Sequence, residues 1–287
     1  MDWSKAKTYL IVAFLLLDIL LGWQYYAAQQ QEAGYVQSFS TQLQELRSLL
    51  AERRITLQAD IPRETPGMRF LQVSSPSQPV PVIVQETQRR PQLVEDDKSK
   101  GTVVYRTADG DFQTTADGFF RVRYLPPVKL DGGGPAKASD KILQKIGNTV
   151  WRSSLYSEDL ILSDDGLHRF YQHHQKRPVF SASLEVELQN SEIIGYNQKA
   201  LEIGGEDDIE RRVLSAVSAM RSMVETLDPK TFPAEGDVIR DIRLGYYSPN
   251  YDDADVWYLA PVWRIVTDRT VYYVNAFTGS VENGDTQ

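Results

Sequence analysis

The chain opens with an apolar run, and this run limits what the rest of the molecule can be. Residues 9–26 read YLIVAFLLLDILLGWQYY, in which only Asp18, Gly22 and Gln24 are neither plainly apolar nor aromatic. As a helix the run would be about 27 Å long, which is just enough for the hydrocarbon core of a bilayer. The aromatic residues at its far end suit the membrane interface. The run therefore predicts a transmembrane helix surrounded by membrane lipid.

The residues on either side of the run predict its orientation. Lys5 and Lys7 precede it, whereas no Lys or Arg follows before Arg47. Because positive residues are retained on the cytoplasmic side, residues 1–8 are expected to form a cytoplasmic tail and the remaining chain to lie outside. A cleaved signal peptide is the alternative. It would need a small residue where a tyrosine stands, so we expect an uncleaved, single-pass anchor in the cell membrane.

Asp18 is the anomaly of the predicted span. An acidic residue in the middle of a span costs about 2.5–3.5 kcal/mol on insertion scales. Phe14 and Gly22 lie one turn away on either side, on the same helical face. A small residue beside a polar one is typical of a helix–helix contact in lipid. We expect Phe14, Asp18 and Gly22 to bind a partner helix; the alternative is a protonated or snorkelling Asp in a lone anchor.

Composition excludes several classes of protein. The net charge is −8 and no strongly basic patch is present, so nucleic acid is not expected as a partner. The chain has no cysteine, which excludes disulfides and thiolate chemistry. The part beyond the predicted anchor is long enough for one large domain or two ordinary ones.

Hydrophobic periodicity predicts an α+β fold in two parts. Residues 33–130 read as a first extracytoplasmic subdomain, mostly β with one helix over 36–53. The Gly- and Pro-containing segment 129–138 reads as a linker. Residues 137–284 read as a second α+β region with two repeated units, each a helix on an antiparallel sheet.

Several element boundaries follow from local signals. In the second region helices are expected over 139–152 and 207–227, the latter because acidic residues suit a helix N-terminus. Residues 159–162 are expected to form a strand. The polar segment 88–100 is expected to be a loop.

Catalytic signatures are lacking. Three histidines occur, and His173 and His174 stand in a polar stretch that predicts an exposed turn. No cysteine or second histidine cluster completes a metal site, so no metal is expected. No nucleophile elbow, phosphate-binding loop or dinucleotide fingerprint appears, so no cofactor or catalytic residue is predicted. The sequence favours a protein that is not an enzyme.

Aromatic residues are concentrated near the C-terminus. Residues 257–277 carry six aromatic rings. These rings would be explained if one face of the sheet forms the core and the other face is covered by a helix. An exposed strip for a protein partner is the alternative reading. For that reading the candidate contacts are Trp257, Trp263 and Tyr272.

Two stretches resemble a known family. The opening Met-Asp-Trp-Ser-Lys-Ala-Lys, followed by an apolar span with a central polar residue, resembles the YycI (WalI) family. The ending Ala-Pro-Val-Trp-Arg-Ile at 260–265, with Tyr-Tyr-Val-Asn-Ala-Phe-Thr-Gly-Ser-Val at 272–281, is similar to that family's C-terminal signature. The same ending is similar to the PepSY-type strand pair, so the last unit is expected to be PepSY-like.

The resemblance implies a regulatory role. Members of the YycI family act with a related anchored protein, YycH, on the sensor histidine kinase WalK (YycG), which controls cell-wall metabolism. Both the transmembrane helix and the outer domain take part in that complex, and the family offers no catalytic residues. The alternative is an anchored PepSY-type binding or protease-inhibitor module, and an extracytoplasmic enzyme is a third hypothesis.

Overall fold

The computed structural model describes residues 14, 17, 18, 21, 39–76, 92–97, 102–115, 118–130, 138–226, 236–249 and 255–286. The chain divides into two compact units, Met1–Ser48 and Leu49–Gln287. Among the described residues, no helix is both long and apolar enough to cross a membrane. Most of the predicted span 9–26 and the centre of the predicted linker lie outside the described residues.

Three α-helices and one short 3₁₀ helix have described bounds. The helices are α1 (Phe39–Glu52), α2 (Ala138–Ile146) and α3 (Ala216–Thr226), and the 3₁₀ turn is Ser153–Leu155. The first of these lies within the helix predicted over 36–53. The buried face of α3 consists of alanine, valine and methionine side chains, namely Ala216, Val217, Ala219, Met220, Met223 and Val224.

Strands dominate the larger unit. They are β1 (Thr56–Leu57), β2 (Gly67–Met68), β3 (Leu71–Ser74), β4 (Gln92–Asp97), β5 (Thr102–Thr107), β6 (Gly110–Thr115), β7 (Phe119–Lys129), β8 (Tyr156–Glu158), β9 (Leu167–His174), β10 (Arg177–Gln189), β11 (Glu192–Lys199), β12 (Glu202–Glu206), β13 (Arg211–Arg212), β14 (Val238–Tyr247), β15 (Val256–Thr267), β16 (Thr270–Asn275) and β17 (Val281–Thr286). The predicted α+β class is confirmed.

Fifteen of the described strands join in one sheet, and β2 pairs with β13 separately. One part of the sheet, called here the first half-sheet, runs β4-β5-β6-β7-β11-β10-β9-β8 with every pair antiparallel. The predicted boundary near 129–138 is not tested, but β7 before it and β11 after it pair directly.

Helix α2 covers the first half-sheet. Ile142 and Ile146, both almost fully buried, join a cluster of side chains from β6, β7, β9, β10 and β11. Burial alternates strictly along β6, which is the period-two pattern of a sheet with one face on the core. Burying these apolar side chains is what stabilises the helix on the sheet.

The second half-sheet consists of β1, β3, β12 and β14–β17. In it β15 pairs with β14, β16 and β3, all antiparallel. Helix α3 packs on β15, β16 and β17. Trp263 fixes this packing, because it is 1% exposed and its indole N–H donates to the carbonyl of Leu214 at 2.8 Å.

The two half-sheets meet where β10 runs beside β14. Val179 of β10 pairs in parallel with Tyr246 of β14. Gly245 permits this approach, since a Cβ there would lie 2.4 Å from the carbonyl oxygen of Pro178 and 2.6 Å from the ring of Phe180. Three extra residues of β10, between Val179 and Ser183, have no partner in the β9 register. This bulge changes the direction of β10, so that the strand takes part in both half-sheets.

Several local predictions were wrong. The helix predicted over 139–152 ends at Ile146. The predicted loop 88–100 contains β4, which pairs with β5 in spite of its charged sequence. Residues 159–162 form a turn rather than a strand. The helix predicted from 207 begins at Ala216 instead, because Ser215 caps it by accepting the amide N–H of Ser218 at 3.1 Å.

Candidate functional site

A buried ionic cluster joins the two half-sheets. Arg264 of β15 is fully buried, and its guanidinium donates to Asp159, in the turn after β8, and at 2.7 Å to Asp241 of β14. The guanidinium also lies over the rings of Tyr171 and Phe180, at 5.5 and 4.7 Å from their centroids. Two charges and two aromatic rings therefore hold one cation between strands from both half-sheets.

The charges of this cluster set its protonation. Burial alone would lower the pKa of Arg264, but the negative charge of Asp159 raises that pKa overall, so the guanidinium stays charged. Arg243 adds weaker pairs, 3.7 Å from Asp159 and 3.5 Å from Asp241. Burial lowers the pKa of the neighbouring His173, which is therefore neutral near pH 7. The charged groups of this cluster already pair with one another. We therefore interpret the cluster as a structural junction between the two half-sheets.

All three histidines lie on β9, so the exposed turn predicted for His173 and His174 was wrong. His168 is buried and its Nδ1 lies 2.5 Å from Oε1 of Glu158. The side chain of His174 lies 3.1 Å from Glu206 of β12. The turn consists of the next two residues, Gln175 and Lys176, both with positive φ.

A polar cleft of about 200 Å³ opens beside this turn. Its walls come from the β2 segment, the β9–β10 turn, the β12–β13 segment and β14: Pro66, Gly67, Met68, Arg69, Gln175, Arg177, Glu206, Glu210 and Tyr246. Two arginines and two glutamates give the lining both signs of charge. A cleft with convergent charged groups is the strongest binding-site candidate among the described residues.

The glutamates of the cleft are engaged to different degrees. Glu206 accepts from His174, as described above. Glu210 lies across Gly67, whose absent side chain leaves the space, and it pairs with Arg69 only at 3.7 Å with both side chains well exposed. Screening by water makes the second pair weak.

Two of the three residues predicted to contact a partner helix, Phe14 and Asp18, are helical and exposed. Leu17 and Leu21 are helical and exposed as well, and the spacing of three and four puts all four on one face. Gly22 lies outside the described residues. No observation tests the predicted contact of Phe14, Asp18 and Gly22, so it stays a prediction.

The aromatic candidates of the outer part are mostly interior. Trp263 is 1% and Tyr272 3% exposed, whereas Trp257 is half-buried. The exposed apolar side chains of this strand belong to Val256 and Tyr258, which sequence reasoning missed. Alternation along β15 is the signal that could have separated the two sets, because even positions 256 and 258 share a face.

Comparison with known proteins identifies the family. The family model described as YycI protein matches residues 35–277. The chain belongs to the YycI family. This is a family of regulatory accessory proteins, and the match covers the helix α1, the first half-sheet, the cleft and every strand of the second half-sheet except β17. The predicted family resemblance is thereby confirmed.

Other comparisons add only the fold. The crystal structure of an uncharacterized protein from Eubacterium rectale ATCC 33656 matches this YycI family member with a TM-score of 0.51 and 8% sequence identity. The match covers 82% of this chain and 91% of that chain. No curated protein matches the sequence.

Proposed function

We propose that the chain is a membrane-anchored accessory protein that regulates the WalK (YycG) sensor histidine kinase together with a YycH-like anchored partner. The family match over 35–277 carries this proposal. The protein would be a single-pass protein of the cell membrane, with a cytoplasmic N-terminus and an extracellular domain. The kinase controls cell-wall metabolism in this family, and the effect would be exerted through contacts rather than through catalysis.

The N-terminal helical residues support the mode of contact. Phe14 and Leu21 are 58% and 52% exposed, and Asp18 lies on the same face. In lipid, no hydrophobic effect drives an apolar stripe onto another helix, whereas a polar side chain gains by finding a hydrogen-bond partner there. Asp18 would therefore specify the partner helix in the membrane.

The outer domain supports a second contact. It is a sheet covered by α2 and α3, with exposed apolar side chains at Val256 and Tyr258. Such exposed apolar residues suit a protein interface. Regulation then requires that the accessory protein binds one signalling state of the kinase more tightly than the other, because equal affinity would shift nothing.

Co-purification tests the proposal. The full-length protein would be purified in mild detergent from its native membrane as wild type, Asp18→Leu and Asp18→Asn, the last keeping a hydrogen-bonding side chain without the charge. We expect a histidine kinase and a second anchored protein with the wild type, strong loss with Asp18→Leu, and partial retention with Asp18→Asn.

Two results would contradict parts of the proposal. Equal recovery of partners with Asp18→Leu would remove the membrane contact and leave the outer domain as the binding surface. If no kinase is recovered with any of the three proteins, the regulatory assignment itself fails.

A further inference from the structure

Tyr246 presents an unpartnered hydroxyl group in the cleft. Its side chain is 4% exposed and lines the cleft, yet the hydroxyl makes no hydrogen bond to any residue the structure describes. Burial first, and then the charge of Glu206, raise the pKa of Tyr246 to about 12. The hydroxyl is therefore protonated at physiological pH and can act as a hydrogen-bond donor. The hydroxyl oxygen reaches the open part of the cleft, where it can donate a hydrogen bond to a ligand.

Arg177 is placed beside that hydroxyl by the fold. It precedes Val179 by two residues, and Val179 pairs in parallel with Tyr246, so the two side chains emerge on one face of the sheet. The close approach of β10 to β14 at Gly245 brings them into the same cleft. Arg177 makes no ion pair with a carboxylate in the described part of the chain. A guanidinium and a phenol on one wall form a receptor for a carboxylate.

The opposite charge is supplied by the other wall. Glu210 lines the cleft and is held only by a weak, exposed pair with Arg69. Its carboxylate sits over Gly67 on the cleft wall, where it can accept from an ammonium group. Glu206, by contrast, is engaged by His174 and serves to hold the wall.

We propose that the cleft binds a small zwitterion of amino-acid or dipeptide size, with its carboxylate on Arg177 and Tyr246 and its ammonium on Glu210. The volume of about 200 Å³ is below that of ordinary drug-sized pockets, which run from about 300 Å³ upward, and so limits the ligand to this size. The inference goes beyond the regulatory role proposed above, because the binding requires no kinase.

Titration calorimetry on the full-length protein in detergent tests the proposal. The probes are L-alanine, L-alanyl-L-alanine, the N-acetylated dipeptide and the dipeptide amide. We expect at least one of the two zwitterions to bind, and each blocked dipeptide to bind roughly tenfold more weakly or worse, since each lacks one charge. The tighter of alanine and dipeptide identifies the source of the ligand.

Variants locate the binding. Arg177→Gln should weaken binding roughly tenfold or more, and Tyr246→Phe, which keeps the ring, should weaken it roughly two- to tenfold. Arg212→Gln is the control, because Arg212 is exposed on the adjacent β13 and does not line the cleft. Thermal unfolding of each variant confirms that it is folded.

Either of two results would overturn the proposal. One is the absence of binding heat from both zwitterions at concentrations on the order of ten millimolar. Any affinity that remained would then be weaker than a specific site requires. The other is binding that survives both Arg177→Gln and Tyr246→Phe unchanged. Neither result affects the co-purification with a kinase, so the two proposals fail independently.

Discussion

At the scale of single residues, Arg264 shows most clearly what sequence could not reveal. Its partner Asp159 is 105 residues away and lies in a turn that the apolar pattern predicted as a strand. The carboxylate turns inward because it meets a buried guanidinium, and no local pattern encodes that meeting. Trp263, one residue earlier on β15, points to the opposite face of the sheet. There its indole N–H donates to the carbonyl of Leu214, just before α3. The sequence therefore could not predict the cluster, although it could predict the strands that contribute to it.

Breaking this cluster should be strongly destabilising. Arg264→Met leaves Asp159 buried without its main partner, and we expect a loss of about 3–5 kcal/mol in the free energy of unfolding. The control is Arg240→Met, which breaks a solvent-exposed pair with Asp268 and should cost far less, because water screens that pair. Denaturant unfolding measures both, and equal losses would show that Arg264 is not a junction.

Gly245 makes a second residue-level prediction. Gly245→Ala places a Cβ 2.4 Å from the backbone of Pro178, which has no room to move, so we expect a loss of about 1–3 kcal/mol. Gly204→Ala is the matched control, because its Cβ would meet nothing closer than 3.7 Å. Thermal unfolding compares the two variants. Similar melting temperatures would mean that β10 and β14 tolerate separation.

At the scale of elements, the sequence predicts those strands and helices whose signals are local. The hairpin of β5 and β6 has such a signal in its Asp-Gly dipeptide, since the turn consists of Ala108 and Asp109 and Gly110 opens β6. Strand β4 was not predicted because its charged residues are typical of a loop. It forms a strand because it pairs with β5. The start of α3 was misplaced because Asp207, which resembles a helix cap, instead accepts the amide of Phe70.

The two-residue turns of β9–β10 and β10–β11 make an element-level prediction. Lys176 and Ser191 adopt φ of 69° and 63°, where L-residues are strained and glycine is not. Lys176→Gly and Ser191→Gly should each stabilise the protein by about 0.5–1 kcal/mol. Glu187→Gly, in extended strand β10, should instead destabilise it by a similar amount. Denaturant midpoints give the signs, and a loss at both turns would contradict the prediction.

At the scale of the whole molecule, buried tyrosines set the response to alkaline pH. Burial raises the pKa of Tyr124, Tyr196 and Tyr273 above the ordinary value of 10.0. The folded protein therefore holds protons that the unfolded chain releases, so stability is fully present below about pH 10 and falls as the pH rises above it. Tyr124→Phe removes one such group and should reduce the slope of stability against pH by up to about 1.4 kcal/mol per unit.

Unfolding measured over this pH range checks the slope. A matched measurement near neutral pH separates the lost hydrogen bond from Tyr124 to Thr149, which shifts stability at every pH, from the titration, which changes only the slope. A slope that is unchanged by Tyr124→Phe would contradict the account.

The α+β class and the family could be predicted from the sequence, whereas the joining of the strands could not. Leu71 of β3 pairs with Leu259 of β15 and with Glu206 of β12, which brings three distant segments together. The cleft depends on this arrangement, since its lining comes from four segments between residues 66 and 246. Only tertiary contacts bring such a site together, so the sequence could not predict it.

The most direct test of the regulatory assignment is the rate at which the sensor kinase phosphorylates its response regulator in reconstituted membranes. The measurement compares vesicles that hold the kinase and a YycH-like protein with and without this chain in full length. The account predicts a change in phosphorylated regulator when the chain is present, and a smaller change with Asp18→Leu. An identical rate in the presence and absence of the chain would contradict the claim that this YycI family member regulates the kinase.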